Sequence, residues 1–424
     1  MLTVKYIKEN KNQVIERLAI KNYFNTEVIE KVIHLDNERK KNQADQDNAQ
    51  AKLNSISKEI GGLFKAGKTK EAEKAKQQTS QLKEEIKVLS QKSSKIEHEL
   101  EILLVQVPNI PHKSVTKGLT ETDNKLIKEG GSIPQLPVKA IPHWELAKKY
   151  NIIDFDLGNK ITGAGFPVYI GKGAKLQRAL ISYFIDKAIE AGYTEIIPPL
   201  VVNEDSGFGT GQLPDKEGQM YHIQNDNFYL IPTAEVPVTN LYRDVILNAS
   251  DFPIKNVAYT PCFRREAGSY GKDVRGLNRV HQFDKVEIVQ IQHPDKSYET
   301  LDEMVKHVES LVQSLNLPYR IVQLCGGDIS FASALTYDFE VYATAQDKWL
   351  EVSSVSNFES FQSNRMKLRF KDEGAKGTVL AHTLNGSALA LPRIVAAILE
   401  NNQTNEGIKI PEILIPYIGF DIIK

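Results

Sequence analysis

The first 110 residues contain three glycines, Gly61, Gly62 and Gly67, and a single proline, Pro108. A stretch so poor in the residues that most readily reverse a backbone cannot be a run of short strands and tight turns. Val28, Val32 and Leu35, then Leu53, Ile56 and Ile60, recur at helical spacing; after Gly61-Gly62, Leu82, Ile86, Leu89, Ile96, Leu100 and Leu103 keep the same period. Elsewhere Ala44, Ala49, Ala51, Ala72 and Ala75 stand in for large apolar residues. The pattern predicts two long helices joined near Gly61 to Gly67, folded back as an antiparallel hairpin with a thin seam and wet outer faces. Each helix is expected to have about 30–35 residues and a length on the order of 50 Å.

This segment holds 20 Lys and Arg against 16 Asp and Glu, and the rest of the chain 33 against 38, so a formal net charge of -1 hides a basic segment joined to an acidic body. Lys65, Lys68, Lys70, Lys74 and Lys76 sit at or near the expected turn. Such a hairpin can serve as a dimerisation coil or spacer, or carry its lysines to phosphates far from the body. The whole chain has 424 residues, 41% hydrophobic and 25% charged, which suits about two to three globular domains. Two cysteines exclude a disulfide scaffold and a four-thiolate zinc site and fit a reducing cytosol. No apolar run reaches the roughly 20 residues of a membrane span, and the start MLTVKYIKEN does not read as a signal peptide. A soluble, cytoplasmic protein is expected.

From Val107 to about Ile141 the texture changes to Pro108, Pro111, Gly130-Gly131, Pro134, Pro137 and Pro142, an expected irregular linker. Beyond it, helical stretches (Lys175 to Glu190, Leu301 to Leu315, Arg393 to Asn401) alternate with β-rich runs at Phe228 to Pro232, Val257 to Glu266, Val280 to Ile291, Phe339 to Thr344 and Trp349 to Ser353. Several consecutive runs are separated by turn residues and not by helices. The expected class is therefore α+β, a helical hairpin followed by an antiparallel sheet flanked by helices. The division expected is 1–110 for the arm and 111–424 for the body.

The chain has no GxxxxGK[ST] loop, no GxGxxG after a strand, and no HExxH, GxSxG or EF-hand pattern. Cys262 and Cys325 lie in apolar neighbourhoods and read as structural. The richest segment runs from Tyr259 to Glu287. Strand alternation would put Arg264 and Glu266 on one face; a loop with Gly268, Gly271 and Gly276 follows, then a second strand with Phe283, Lys285 and Glu287 on one face. Paired antiparallel, these form one wall with cations, carboxylates and a ring, an assortment that suits a nucleotide and an amino acid; a hairpin with cross-strand salt bridges is the plainer reading. In Trp349 to Ser354, Glu351 and Ser353 are expected on one strand face with Ser354 at the strand end, either hard oxygen ligands for Mg²⁺ or a solvated edge. Asn385 to Arg393 reads as a small-residue turn entering an apolar helix, either a close ligand approach or tight packing.

At these residues the chain closely resembles the seryl-tRNA synthetases, a class II aminoacyl-tRNA synthetase family. Phe263-Arg-Arg-Glu266 with the run Arg279 to Glu287 resembles motif 2, Asn385 to Arg393 motif 3, and Gly192 to Pro199 motif 1. Thr233-Ala234-Glu235 is similar to the serine-specific segment, and residues 1–110 to the tRNA-binding helical arm. The resemblance implies a serine–tRNA ligase that uses ATP and Mg²⁺, acts on L-serine and tRNA(Ser), with tRNA(Sec) a second candidate, and works as a homodimer. It implies that Arg264 grips the α-phosphate and the reacting carboxylate, Glu266 the adenine amino group, Phe283 the adenine ring and Arg393 the γ-phosphate. Arg265, Val280, Val352 and Ser353 complete the implied ATP site, and Glu351 and Ser354 the implied Mg²⁺ ligands. Thr233, Ala234 and Glu235 frame the serine pocket, Glu287 takes the ammonium group and Ser387 the hydroxyl. One departure is Phe361-Gln-Ser-Asn-Arg365, where relatives more often read Phe-Gln-Ala-Arg-Arg. An inactive paralogue serving as an RNA-binding scaffold, and a ligase loading a carrier protein, are the alternatives; the intact motifs and the full arm argue against each.

Overall fold

The computed structural model describes residues 1–266, 275–372, 374 and 376–424. The chain divides into one unit of Met1–Ala19 with Tyr23–Pro108 and a second of Ile20–Asn22 with Asn109–Lys424.

In the first unit two short helices, Val4–Glu9 and Lys11–Ile20, precede α1 (Thr26–Lys65) and α2 (Thr69–Leu104). The 40 residues of α1 extend about 60 Å, longer than the spacing suggested. Gly61-Gly62 does not break the helix. Two helical glycines cost about 1 kcal/mol each against alanine, yet the apolar spacing runs on past them through Ile60 and Leu63, both partly buried. The reversal falls instead on Ala66 to Lys68, where Gly67 adopts φ +74°. Along α2, Ala72, Ala75, Thr79, Leu82, Ile86, Leu89, Ser93, Ile96 and Leu100 turn inward at alternating steps of three and four, the heptad seam of an antiparallel coiled coil. A polar tie fixes its register: buried Asn42 donates from Nδ2 to the Leu89 carbonyl at 2.8 Å and to Ser93 Oγ at 2.7 Å.

The second unit is built on an eight-stranded sheet. In chain order its strands are β1 (Lys125–Gly130), β2 (Thr194–Glu195), β3 (Ile254–Phe263), β4 (Gln282–Gln292), β5 (Tyr319–Gln323), β6 (Leu335–Ala343), β7 (Lys348–Glu359) and β8 (His382–Ala390). Their order across the sheet is β1-β5-β6-β7-β8-β4-β3-β2, antiparallel throughout except for the short β2–β3 pair. Six helices matter for the site: α3 (His143–Lys149), α4 (Lys172–Glu190), α5 (Glu235–Asn240), α6 (Ser297–Ser314), α7 (Phe361–Met366) and α8 (Leu391–Asn401). Leu180 and Phe184 of α4, Met304 and Val308 of α6, and Val395 and Ile398 of α8 share one core with Val286 and Ile288 of β4, Phe339 of β6 and Val355 of β7. That burial leaves the opposite sheet face, with Lys285, Glu287 and Ser387, free for polar chemistry.

Four local expectations are corrected. The 107–141 segment contributes the edge strand β1, paired to β5, because five consecutive exposed residues give a strand no hydrophobic alternation to read. Strand β3 stops at Phe263, so Arg264 and Glu266 lie beyond it, and Glu266 takes φ +46°. Asn385 to Ala390 is strand and not turn, because it pairs with β4 and β7; Arg393 is the third residue of α8. Ser354 is mid-strand in β7, not at its end. Gly268 and Gly271 lie outside the described residues.

Candidate active site

Strands β3 and β4 pair Cys262 with Phe283, Thr260 with Lys285 and Ala258 with Glu287, and β8 adds Ser387 opposite Glu287. Directly paired residues share a face, so this register assembles the wall that alternation suggested. Arg264 continues it past the strand end: its backbone N–H donates to the His281 carbonyl at 2.9 Å, and its guanidinium lies 5.3 Å from the centre of the Phe283 ring. Its Nε donates to the Pro232 carbonyl at 3.4 Å, tying it to the residue before Thr233. Arg265 is exposed and anchored through its N–H to the Gln219 carbonyl. Glu266 accepts from Arg279 Nη1 at 3.2 Å. Val280 is buried.

The polar pocket floor is almost closed to water. Thr233, Glu235, Lys285, Glu287 and Ser387 are all buried. Lys285 Nζ donates to Thr233 Oγ1 at 2.9 Å and is ion-paired to Glu287. Thr233 Oγ1 and Ser387 Oγ each donate to Glu287 Oε2 at 3.4 Å. Ala234 caps the helix that Glu235 opens, α5. Burial, and then repulsion from Glu287, push the Glu235 carboxyl up to about 7. Glu287 is paired with Lys285, and Glu235, charged only above about 7, adds a second negative charge that a further cation would stabilise. Lys285 was visible on the expected strand face, but no motif gave it a role.

Gln362 is the partner that sequence reasoning missed. From α7, in the segment that departs from the family pattern, it donates to Glu235 Oε1 at 2.6 Å and to the Thr210 carbonyl at 3.0 Å, and accepts from Thr383 Oγ1 at 2.6 Å. Ser363, one of the departing positions, is fully buried and donates to the Ala381 carbonyl. Arg365 donates to the carbonyls of Phe208 and Leu213. These three are spoken for by the protein, and Gln362 holds Glu235 in place.

A second cluster lies on β6 and β7. Phe339 pairs with Ser353 but Glu340 with Glu351, so Val352 is the extra residue of a β-bulge. The bulge overturns the expected pairing of Glu351 with Ser353. Ser354 turns to the Glu351 side, 3.4 Å from its Oε1, while buried Ser353 donates to the Ser387 carbonyl and Val352 enters the core. Asp338, opposite Ser354, joins the Glu351 side. Burial, and then the charge of Glu351, raise its carboxyl well above the usual range, and its Oδ1 is buried without a hydrogen-bond partner among the described residues. Glu340 is occupied by Arg320. An oxygen-only set of Glu351, Ser354 and an orphaned Asp338 oxygen has the donor chemistry of a hard divalent cation site. Arg393 borders it, donating from Nη1 to the Glu351 carbonyl at 2.8 Å and from Nε to the Asn278 carbonyl at 3.0 Å.

Both cysteines are buried and free, and burial pushes the Cys262 thiol up, away from the reactive thiolate. The site can therefore bind and orient a cation, an anion chain and an aromatic ring. Among the described residues it shows no activated thiol.

The chain is similar to known proteins over its whole length. Residues 1–111 match the family described as Seryl-tRNA synthetase N-terminal domain, and residues 219–402 match the tRNA synthetase class II core domain (G, H, P, S and T). A serine–tRNA ligase of Salinibacter ruber is 48% identical over 99% of this chain and 98% of its own length. One from Chlorobaculum parvum is 45% identical over the full length of both. The crystal structure of seryl-tRNA synthetase from Pyrococcus horikoshii complexed with ATP superposes with a TM-score of 0.93 at 32% identity, over 100% of this chain and 99% of that one.

Proposed function

The chain belongs to the seryl-tRNA synthetase family and joins serine to tRNA at the expense of ATP; from that premise we propose the role of each site residue. In the first step a serine carboxylate oxygen attacks the α-phosphorus of ATP. The bond to the bridging oxygen breaks and pyrophosphate leaves, giving seryl-adenylate. In the second step the 3′-terminal ribose hydroxyl of tRNA(Ser) attacks the acyl carbon, loses its proton, and AMP departs. Neither step requires a protein nucleophile, so the residues act by positioning and by neutralising charge.

The buried pocket carries this reading. Buried Glu287, with Thr233 and Ser387 on its Oε2, takes the serine ammonium, Thr233 and Glu235 framing it, while Ser387 meets the serine hydroxyl. Alanine lacks that hydroxyl and would leave buried partners unpaired, the strongest form of rejection available to such a site. Threonine is refused by the room its extra methyl needs. Arg264 grips the α-phosphate and carboxylate, Phe283 stacks on adenine, Glu266 takes the adenine amino group, and Arg393 the γ-phosphate. Val280, Val352 and Ser353, whose side chains are buried, contribute through backbone, and Arg265 through its exposed side chain. Glu351 and Ser354 would hold Mg²⁺, with Asp338 behind them; when bound, the ion supplies positive charge to the phosphate chain. The arm binds tRNA(Ser), and tRNA(Sec) by the same surface.

The 192–199 segment is the surface for a second copy. Ile197 is 87% exposed there, with Leu200 and Val201 beside it, an apolar run of the kind that a homodimer covers.

The test is Arg264→Ala. Loss of one preorganised donor costs about 3–4 kcal/mol, so serine-dependent ATP–pyrophosphate exchange should fall by about 10²–10³ while the protein stays folded. Near-normal exchange from a folded variant contradicts the assignment of the motif 2 wall.

A further inference from the structure

Behind the nucleotide side of the site lies a buried polar network to which the proposed chemistry assigns no task. His143, the first residue of α3, and Glu400, near the end of α8, are both fully buried. The Glu400 carboxylate accepts four bonds. Its Oε1 takes the His143 backbone N–H at 3.0 Å, His143 Nδ1 at 2.7 Å and Gln346 Nε2 at 2.8 Å, and its Oε2 takes the Ala345 N–H at 3.1 Å. The other ring nitrogen, Nε2, accepts the Leu277 N–H at 2.8 Å. These partners fix the tautomer: Nδ1 carries the proton and Nε2 the lone pair.

Leu277 belongs to the described residues 275–281 that lead into β4. The approach is so close that a Cβ on Gly276 would sit 2.3 Å from His143 Nε2, and Gly276 takes φ +67°, which glycine alone adopts without strain. One residue on, Asn278 Nδ2 donates to Gln346 Oε1 at 2.8 Å, and the Asn278 carbonyl accepts from Arg393 Nε at 3.0 Å. A continuous chain therefore runs from Glu400 through His143 to Leu277, and from Glu400 through Gln346 to Asn278 and Arg393.

We propose that His143, Glu400 and Gln346 are positioning residues for ATP: they lock residues 276–278, ahead of β4, so that the Asn278 carbonyl aims the Arg393 guanidinium. Burial alone requires that Glu400 be satisfied, but it does not require its two partners to reach on, His143 to the Leu277 N–H and Gln346 to the Asn278 side chain, whose carbonyl holds Arg393. The inference rests on Arg393 serving the triphosphate, as proposed above. Among the described residues the network bonds to no residue of the serine pocket, so its loss falls on one substrate.

The experiment is serine-dependent pyrophosphate exchange with KM measured separately for ATP and serine. The variants are Gln346→Ala, at a half-buried turn, and His143→Ala, with thermal unfolding as the check on folding. Removing a bond that holds a positioned charge should raise KM for ATP about tenfold, with KM for serine within about twofold. In an Arg393→Lys background, which has no Nε bond to give Asn278, adding Gln346→Ala should change KM for ATP by less than about twofold, because coupled residues are non-additive. Unchanged KM for ATP in folded Gln346→Ala, equal rises for both substrates, or a full tenfold effect in the Arg393→Lys background each overturn the inference. The wild type separates the two levels: if it shows no serine-dependent exchange the functional reading fails, and if it exchanges normally while the variants match it only the positioning role fails.

Discussion

Glu235 carries the most exposed consequence of the pocket at the level of single side chains. Its carboxyl is raised to about 7 by burial and by Glu287, while Gln362 holds one oxygen at 2.6 Å. A carboxyl with a raised value in the folded state is protonated below it, and then offers no negative charge to an ammonium group. KM for serine is therefore expected to rise as pH falls from 8 to 6, with the midpoint near 7 set by this group. Glu235→Gln should flatten that profile; an unchanged profile in the variant would show that another group titrates. By linkage the free protein also loses stability as pH rises from 4.5, the ordinary carboxyl value, to about 7, because the folded state holds the proton longer. Serine, bringing its own ammonium, should recover part of that loss.

At the scale of elements, the bulge at Val352 decides which serine faces the proposed cation site. Ser354→Ala should raise the Mg²⁺ concentration for half-maximal exchange by roughly tenfold or more, whereas Ser353→Ala should leave it alone. Ser353→Ala should cost about 1 kcal/mol of stability instead, through its lost bond to the Ser387 carbonyl. The reverse pattern would return the strand to simple alternation. This bulge also marks where sequence stopped being legible. Phe283, Lys285 and Glu287 fall on one face because β4 keeps a period of two there, and reading that period sufficed. One extra residue in β7 shifts every later side chain, and no composition signal announces it. The same holds for β1, whose exposed residues look like linker, and for Asn385 to Ala390, whose small residues look like a turn until two neighbouring strands claim them. Gln362 and Glu400 were hidden for another reason: their partners lie 127 and 257 residues away in the chain, a distance no local spacing encodes. The arm helices were the reverse case, since a seam stepping by three and four residues is written along the chain itself; only the break expected at Gly61-Gly62, and with it the length of α1, was misread.

For the whole molecule, the arm and the body are assigned different halves of one reaction. Replacing residues 28–103 by a short linker should leave serine-dependent exchange within about twofold and reduce tRNA(Ser) charging by orders of magnitude, since phosphate and shape contacts would be lost. Equal charging by the shortened and full chains would remove the arm from the account. The arm's modest excess of 20 basic over 16 acidic residues implies recognition by shape more than by bulk charge. The exposed lysines Lys65, Lys68, Lys70, Lys74 and Lys76 give its tip the means to meet a phosphate backbone. The central claim is that the pocket of Thr233, Glu235, Lys285, Glu287 and Ser387 is built for serine. Amino-acid-dependent ATP–pyrophosphate exchange, run on the full chain with Mg²⁺ across serine, threonine, alanine, glycine and cysteine, tests it most directly. The account predicts exchange with serine and none above background with the other four; exchange led by another amino acid, or none with serine from folded protein, would contradict it.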